Sequence, residues 1–183
     1  RVMFFLYQIL IIILLILSPL IIGIRILKKK EDKTRFKEKF CFPSKKRVKG
    51  NLIWFHGSSV GEILSILPLV YELEKNNSIN QILITSSTLS SAEIFKKFKF
   101  TKTVHQFFPI DSIFFSHKFL KYWKPTITIF VESEIWPSIF KTLNRKNINC
   151  NITAIFTIDQ VKDLLKNIDF KSKNIFSIFA GRI

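Results

Sequence analysis

Between His56 and Glu62 the chain reads HGSSVGE, a histidine, two hydroxyls, two glycines and a carboxylate in seven residues. Gly57 and Gly61 let backbone approach a ligand closely. The free N–H groups at the start of a following helix attract anions. The spacing is neither that of a Walker loop nor that of the dinucleotide fingerprint, and no Lys-Ser/Thr pair follows. Glu62 therefore carries two readings. Ser59 and Glu62 have the spacing of a capping box, with Ser59 as N-cap and Glu62 at the third helical position. A glutamate at a ligand-facing helix start is also suited to act as a general base when partial burial raises its pKa. The two roles are compatible. His56 either orients a substrate, shares a proton, or simply hydrogen-bonds at a strand end.

A second acidic stretch, FVESEIWP, places Glu132 and Glu134 directly after an apolar run. Acids beside a helix N-terminus stabilise it by about 0.3–1 kcal/mol each. Two carboxylates brought to the same crevice as Glu62 would suit sugar hydroxyls or proton transfer. No His, Cys or Asp cluster has metal-ligand spacing. Cys41 and Cys150 lie far apart in a pattern that is neither metal-binding nor redox-active, and are expected to be free thiols in a reducing compartment.

The elements that must position these residues alternate. Short apolar runs, NLIWF, QILIT, TVHQFF, TITIFV and CNITAIF (Cys150 to Phe156), read as strands. Between them lie helical patterns. Ile63, Ile66, Leu67, Val70 and Leu73 recur at helical spacing. A second helix is expected from Ser90, with Ser90 and Glu93 as its capping box. A third starts at Asp111 and stops at Pro125, and a fourth carries Pro137 in its first turn, where a missing N–H does no harm. The strands show little alternation, as in a parallel sheet covered on both faces. The rhythm predicts a doubly wound α/β domain. Ligands in such sheets sit beyond the carboxyl ends of the strands, where HGSSVGE, SSTLSS and ESE all fall.

Upstream, Phe4 to Ile24 runs 21 residues without a formal charge. At about 1.5 Å per residue it matches a bilayer's hydrocarbon thickness of about 30 Å. It is too long for a signal-peptide core and no small-residue cleavage site follows, so a retained anchor is expected, kinked by Pro19 and Gly23. From Arg25 to Lys49, twelve lysines and arginines face only Glu31, Asp32 and Glu38, a net of +9 within a chain of net charge +16. Cations beside a membrane segment stay cytoplasmic. They attract anionic lipids by about 1 kcal/mol per charge near the surface. Nucleic acid is not expected as a partner, because the basic run lacks the interleaved aromatics of a single-strand platform. The expected organisation is an anchor over 1–27, a basic juxtamembrane segment over 28–50 and an α/β domain over 51–183.

The ordered motifs resemble the 3-deoxy-D-manno-octulosonic acid (Kdo) transferases of lipopolysaccharide synthesis. KEDKTRFKEKF is similar to that family's basic segment, and IWFHGSSVGE to its W-[IV]-H-[AG]-x-S-V-G-E. ITSSTLSSAE, with Ser86 and Ser91 in place of the usual Thr and Gly, resembles its T-x-T-x-T-G-x-E. FPIDSIFFSHKFLKYWKP is similar to its P-x-D…F-L…P, and ESEIWPS to its E-[TS]-E-[IL]-W-P-N, with Ser138 replacing Asn. The likeness runs in order from about Leu27 to Asn151.

The resemblance implies a Rossmann-like N-terminal domain of a type-B glycosyltransferase fold, preceded by one transmembrane helix. It implies transfer of Kdo from the donor CMP-Kdo to a lipid A precursor, with no metal and no other cofactor. It makes Glu62 the catalytic base and Glu132 and Glu134 a second acidic motif near the acceptor. His56, Ser58, Ser59 and Gly61 would shape the acceptor loop. The implied setting is the cytoplasmic side of a bacterial inner membrane, with anionic lipids as partners. Thr157 to Lys173 has no counterpart in the family pattern, and only AGRI at the end resembles the motif expected after the fifth strand. The donor-binding half is thus expected to be missing, both ends read as truncations, and the chain alone is expected to be inactive. The alternative is a membrane-anchored glycolipid-binding domain without catalysis.

Overall fold

The computed structural model describes residues 2–131, 136–145, 148–152 and 173–178. Helix α1 (Val2–Leu27) precedes a short 3-10 helix (Arg35–Phe40). The chain then alternates β1 (Leu52–His56), α2 (Val60–Glu74), β2 (Gln81–Ser86), α3 (Leu89–Phe95), β3 (Thr103–Phe107), α4 (Ile113–Trp123), β4 (Ile127–Val131) and α5 (Pro137–Arg145). Strands β5 (Ile148–Ile152) and β6 (Lys173–Ile178) follow.

The strands form one six-stranded sheet in the order β3-β2-β1-β4-β6-β5. Every described pairing is parallel. The fifth strand begins two residues earlier than expected, at Ile148 rather than Cys150, and β6 inserts between it and β4. The chain moves outward from β1 through β2 to β3, then returns to the other side of β1 as β4. This places a topological switch point between β1 and β4, where the following connections diverge and leave a crevice.

Both faces of the sheet are covered. On one face Ile53 and Phe55 of β1 join Ile82, Ile84, Ile127 and Ile129 against Ile63, Ile66, Val70 and Leu73 of α2. On the other, Leu52, Trp54, Leu83 and Phe130 pack on Phe119, Leu120 and Trp123 of α4 and Ile139 and Leu143 of α5. Burial on both sides explains why β1, β2 and β4 read as continuous apolar runs. Fully burying one such side chain stabilises the fold by about 1.5–3 kcal/mol.

Two helix starts differ from the sequence expectation. The cap of α3 is Thr88, whose hydroxyl accepts from the Ser91 amide at 3.2 Å, not Ser90. Glu93 pairs instead with Lys96 at 2.6 Å. The earlier start wins because it buries Ser91 within the first turn, where its hydroxyl donates to the Ser58 carbonyl at 3.3 Å. In α4 the cap is Ser112, one residue after Asp111. Asp111 is diverted elsewhere, as described below.

The basic segment after α1 does not stand clear of the sheet. Glu38, 1% exposed, accepts from Arg35 Nε at 2.8 Å, from the Phe107 amide at 2.7 Å, and from the Ser44 hydroxyl. Arg35 also donates to His105 Nδ1 at 2.9 Å. Since guanidinium only donates, Nδ1 is the acceptor and Nε2–H donates to Ser86 Oγ at 2.8 Å. Buried Glu31 pairs with Lys39 at 2.6 Å and Arg25 at 3.1 Å. Glu38 is the acid that docks the basic run on the sheet, while Glu31 and Asp32 bond within the segment.

Helix α1 is the one described helix long and apolar enough to cross a membrane, over Phe4–Leu27 with mean hydropathy 2.9. It continues unbroken through Pro19 and Gly23. One narrow stripe rests on the domain: Tyr7 donates to Asp111 Oδ2 at 2.7 Å, Gln8 to Ser138 Oγ at 2.8 Å, and Ile11 and Ser18 are buried. The remaining faces expose large apolar side chains, including Phe5, Ile12, Ile16 and Leu20. The helix thus touches the domain through Tyr7 and Gln8, near its N-terminal end.

Candidate functional site

The site forms where β1 ends and α2 begins. Ser59 has extended backbone and its hydroxyl accepts the Glu62 amide hydrogen at 3.2 Å, which satisfies one of the unpaired N–H groups of the first turn. Glu62 folds back over this turn. Its Oε1 accepts from the Ser59 hydroxyl at 2.6 Å and its Oε2 from the Ser58 amide at 2.7 Å. The capping box predicted from spacing is present, reaching the amide before the cap rather than that of the cap itself. Glu62 is 8% exposed. A carboxylate offers about four lone-pair sites, so two remain for a ligand hydroxyl.

Gly57 is required by close approach. A Cβ there would lie 3.1 Å from Glu62 Cβ and 3.4 Å from Ile63 Cδ1, pushing the carboxylate off its seat. Gly61 is different: a Cβ there would meet nothing nearer than Ser59 Oγ at 4.0 Å. Its small size leaves open space over the loop rather than relieving a clash.

His56 ends β1, buried on the Trp54 face of the sheet. Its Nδ1 lies 3.2 Å from the Thr85 carbonyl and 3.0 Å from Thr85 Oγ1. A carbonyl only accepts, so Nδ1 carries a hydrogen. Thr85 Oγ1 also accepts from Trp54 Nε1 at 2.8 Å and donates to the Phe55 carbonyl at 3.3 Å. The ring stacks on Phe108 with centroids 3.9 Å apart, and meets the edges of Phe130 and Trp136. The ring is therefore held in one orientation, with Nδ1 donating toward Thr85.

Ser58 ties the loops together. Its hydroxyl lies 3.4 Å from Ser87 Oγ in the loop after β2, and its carbonyl accepts from Ser91. The structure thus brings Glu62, Ser58, Ser59, Gly61 and His56 to one end of β1. Glu132 and Glu134 lie outside the described residues. The described strand before them, β4, pairs with β1 in a register that sets Phe130 beside His56. Among the described residues no three His, Cys, Asp or Glu side chains gather as metal ligands.

Two groups that shape this end of the sheet were not singled out from the sequence. Asp111, 3% exposed, accepts from the Ser138 amide at 3.0 Å and the Ile139 amide at 2.9 Å. It caps α5 from the loop before α4, because Pro137 opens α5 without a local capping side chain among the described residues. The signal was the pair Asp111-Ser112: two capping residues in a row for one helix left one to spare. His105 is the other. Burial, with Arg35 and Lys96 nearby, pushes its pKa down to about 3, so it stays neutral.

The model of the family described as 3-deoxy-D-manno-octulosonic-acid transferase (kdotransferase) matches residues 34–170. A 3-deoxy-D-manno-octulosonic acid transferase of Rickettsia bellii is 40% identical over 150 residues, covering 82% of this chain and 35% of the relative. A probable mitochondrial 3-deoxy-D-manno-octulosonic acid transferase of Arabidopsis thaliana is 38% identical over 125 residues, 67% of this chain and 28% of the relative. The Haemophilus influenzae transferase is 31% identical over 142 residues, 74% of this chain and 33% of the relative. The chain spans about a third of the length of these relatives. The HGSSVGE loop, its capped glutamate and the switch point beneath them all fall inside the matched range, and this chain belongs to the 3-deoxy-D-manno-octulosonic-acid transferase family.

Proposed function

We propose that this chain is the acceptor-binding part of a glycosyltransferase that moves Kdo from CMP-Kdo to a lipid A precursor. In this reading the fold is the Rossmann-like N-terminal half of a type-B glycosyltransferase, and the donor is bound by a second domain. The observation that carries it is the seat of Glu62: a nearly buried carboxylate held by the Ser58 amide and the Ser59 hydroxyl, at the crevice between β1 and β4.

Glu62 accepts the proton of the acceptor sugar hydroxyl. The freed oxygen forms the new bond to the anomeric carbon of Kdo, and the bond from that carbon to the CMP phosphate oxygen breaks, its electron pair leaving with CMP. The chain's own residues orient and deprotonate. Ser58 and Ser59 hold the carboxylate, and His56, fixed by Thr85 and Phe108, stands at the same strand end. Glu132 and Glu134 are assigned to the acceptor side as a second acidic motif. No metal is assigned to the step.

The setting is the cytoplasmic face of a bacterial inner membrane. The exposed apolar side of α1 faces lipid while its Tyr7–Gln8 stripe stays on the domain, and the basic segment beside it attracts anionic lipid.

The test is Glu62→Gln in the full protein that carries this sequence, assayed with CMP-Kdo and a lipid A precursor. General-base loss predicts a fall of about 10²–10⁴-fold in transfer with the fold retained. Undiminished transfer would remove the base role. A second reading, glycolipid binding without catalysis, is favoured by the same geometry, since both Glu62 oxygens already hold hydrogen bonds as a helix cap. It predicts precursor binding that is indifferent to Glu62→Gln.

A further inference from the structure

Three neighbouring strands carry polar residues side by side at one level of the sheet. The register sets His56 of β1 against Thr85 of β2, and Thr85 against Gln106 of β3. Alternation puts Gln106 on the same face as Val104, which packs on the cluster of Trp54 and Trp123 under α4. The row His56, Thr85, Gln106 therefore lies on the side that α4 covers. Gln106 is 0% exposed, and neither its amide oxygen nor its amide nitrogen has a hydrogen-bond partner among the described residues.

The helix above supplies a second buried group in the same condition. Ser116, Phe119, Leu120 and Trp123 form the buried stripe of α4, and the last three belong to that same cluster. The Ser116 hydroxyl is buried and has no partner among the described residues. Two other buried helical hydroxyls bond back to the preceding turn, Ser18 to the Leu15 carbonyl and Thr142 to the Ser138 carbonyl, both at 2.7 Å. The Ser116 hydroxyl makes no such bond, although the Ser116 amide holds the Ser112 carbonyl at 2.8 Å.

Buried amides and hydroxyls in folded proteins are nearly always hydrogen-bonded. Gln106 offers two donors and two acceptors, and Ser116 one donor and two lone pairs. The two do not bond each other. A small neutral molecule that both gives and takes hydrogen bonds, across a gap too long for a direct one, is water. An ion fits poorly, because the surrounding cluster is apolar and would leave its charge uncompensated.

Thr85 stands between this pair and His56. Its hydroxyl lies 3.0 Å from His56 Nδ1 and accepts from Trp54 Nε1 at 2.8 Å. A turn of about 120° at χ1 would carry it off β1 toward β3. A Gln106 amide already bonded to water does not compete for it.

We propose that Gln106 and Ser116 hold an ordered water between β3 and α4, and that Gln106 is thereby a positioning residue for His56, keeping the Thr85 hydroxyl turned to the ring. The link to catalysis rests on the acceptor-loop reading of His56; the water site does not.

The test is nuclear magnetic resonance of the full chain in uncharged detergent micelles. The Gln106 side-chain amide protons should show a nuclear Overhauser contact to a long-lived water, and Ser116→Ala should weaken it. No contact to water at those protons would overturn the site. The His56 Nδ1–H proton should give a slowly exchanging resonance in the native chain. It should broaden in Gln106→Met, whose side chain keeps the length but cannot hold the water. The His105 Nε2–H proton, bonded to Ser86 on the opposite face, should stay sharp and report a retained fold. A sharp His56 signal in that variant would overturn the positioning role. If both histidine signals vanish the variant has unfolded, and Ser116→Ala decides: a lost water contact with an unchanged His56 signal overturns the positioning. Kdo transfer by the full protein separates this proposal from the reaction. A broadened His56 with undiminished transfer removes His56 from the reaction and leaves the positioning standing. A fall in transfer with a sharp His56 removes the positioning and leaves the reaction.

Discussion

The Ser59 hydroxyl stands 3.2 Å from the Glu62 amide nitrogen and 2.6 Å from Glu62 Oε1, accepting from the first and donating to the second. One side chain thus stabilises the helix start and aims the carboxylate. The two jobs separate by mutation. Ser59→Ala should cost about 1 kcal/mol of stability through the lost cap, read by urea unfolding. Glu62→Gln should cost less, because its amide oxygen still accepts from the Ser58 amide, yet it should remove most transfer. If Glu62→Gln proves the more destabilising and transfer survives, Glu62 is a cap alone.

His105 links stability to pH. Its folded pKa lies at about 3 against an ordinary value of 6.5. Between those values the unfolded chain binds a proton that the folded chain refuses, so stability falls as pH drops through this window. The advantage of the native chain over His105→Gln should be greatest above pH 6.5 and shrink steadily toward pH 4. A gap that stays constant with pH would show that His105 contributes by packing and hydrogen bonding only.

Gly50 turns the chain into β1 at φ +112, and a Cβ there would fall 2.2 Å from Asn80 Oδ1. That same oxygen accepts the Asn51 amide at 2.8 Å. Gly50→Ala must strain the backbone and displace Asn80. The expected loss is about 1–3 kcal/mol, visible as a lower urea midpoint with unchanged slope. Gly61→Ala, with open space around it, should unfold close to the native midpoint.

Asp111 holds the start of α5 through two amides and receives the Tyr7 hydroxyl. Asp111→Asn keeps the shape but loses the charge that strengthens all three bonds. It should destabilise by about 1.5–3 kcal/mol. Hydrogen exchange should accelerate first at the Ser138 and Ile139 amides. Uniform acceleration across the sheet would place the effect elsewhere.

The Cys41 thiol is buried against the Phe115 carbonyl at 3.2 Å, and burial pushes its pKa up to about 12 despite the opposing influence of Lys118. Thiolate, not thiol, is the reactive form. In a Cys150→Ser background, native chain at pH 8 should resist iodoacetamide and label only after denaturation. Rapid native labelling would show that the basic segment detaches from the sheet.

Much of the candidate site was legible because its signals are local. Ser59 and Glu62 are three residues apart, so their relation follows from helix geometry alone, and the structure bears out that cap. The α3 start was misplaced for the opposite reason. Thr88 and Ser90 are equally good caps by type, and the choice was made by Ser91 reaching Ser58, 33 residues away. The orientation of His56 depends on Thr85, on the neighbouring strand, and the cap of α5 depends on Asp111. Such partners are near only after strands pair.

The alternation of buried strands and helices, the capped glutamate, the apolar helix and the family can all be read along the chain before it folds. These rest on periodicity, spacing and side-chain type, which are properties of short stretches. The docking of the basic segment through Glu38, the seat of the α1 polar stripe on Asp111 and Ser138, and the meeting of Lys29 and Lys30 with Lys97 around one cavity arise only once the chain has folded. Each of these turns on a few buried acids or on the left-handed Lys29. The cost of leaving Glu38 or Glu31 uncompensated in a low-dielectric interior forces their basic partners inward. Composition counts those same lysines and arginines only as net charge.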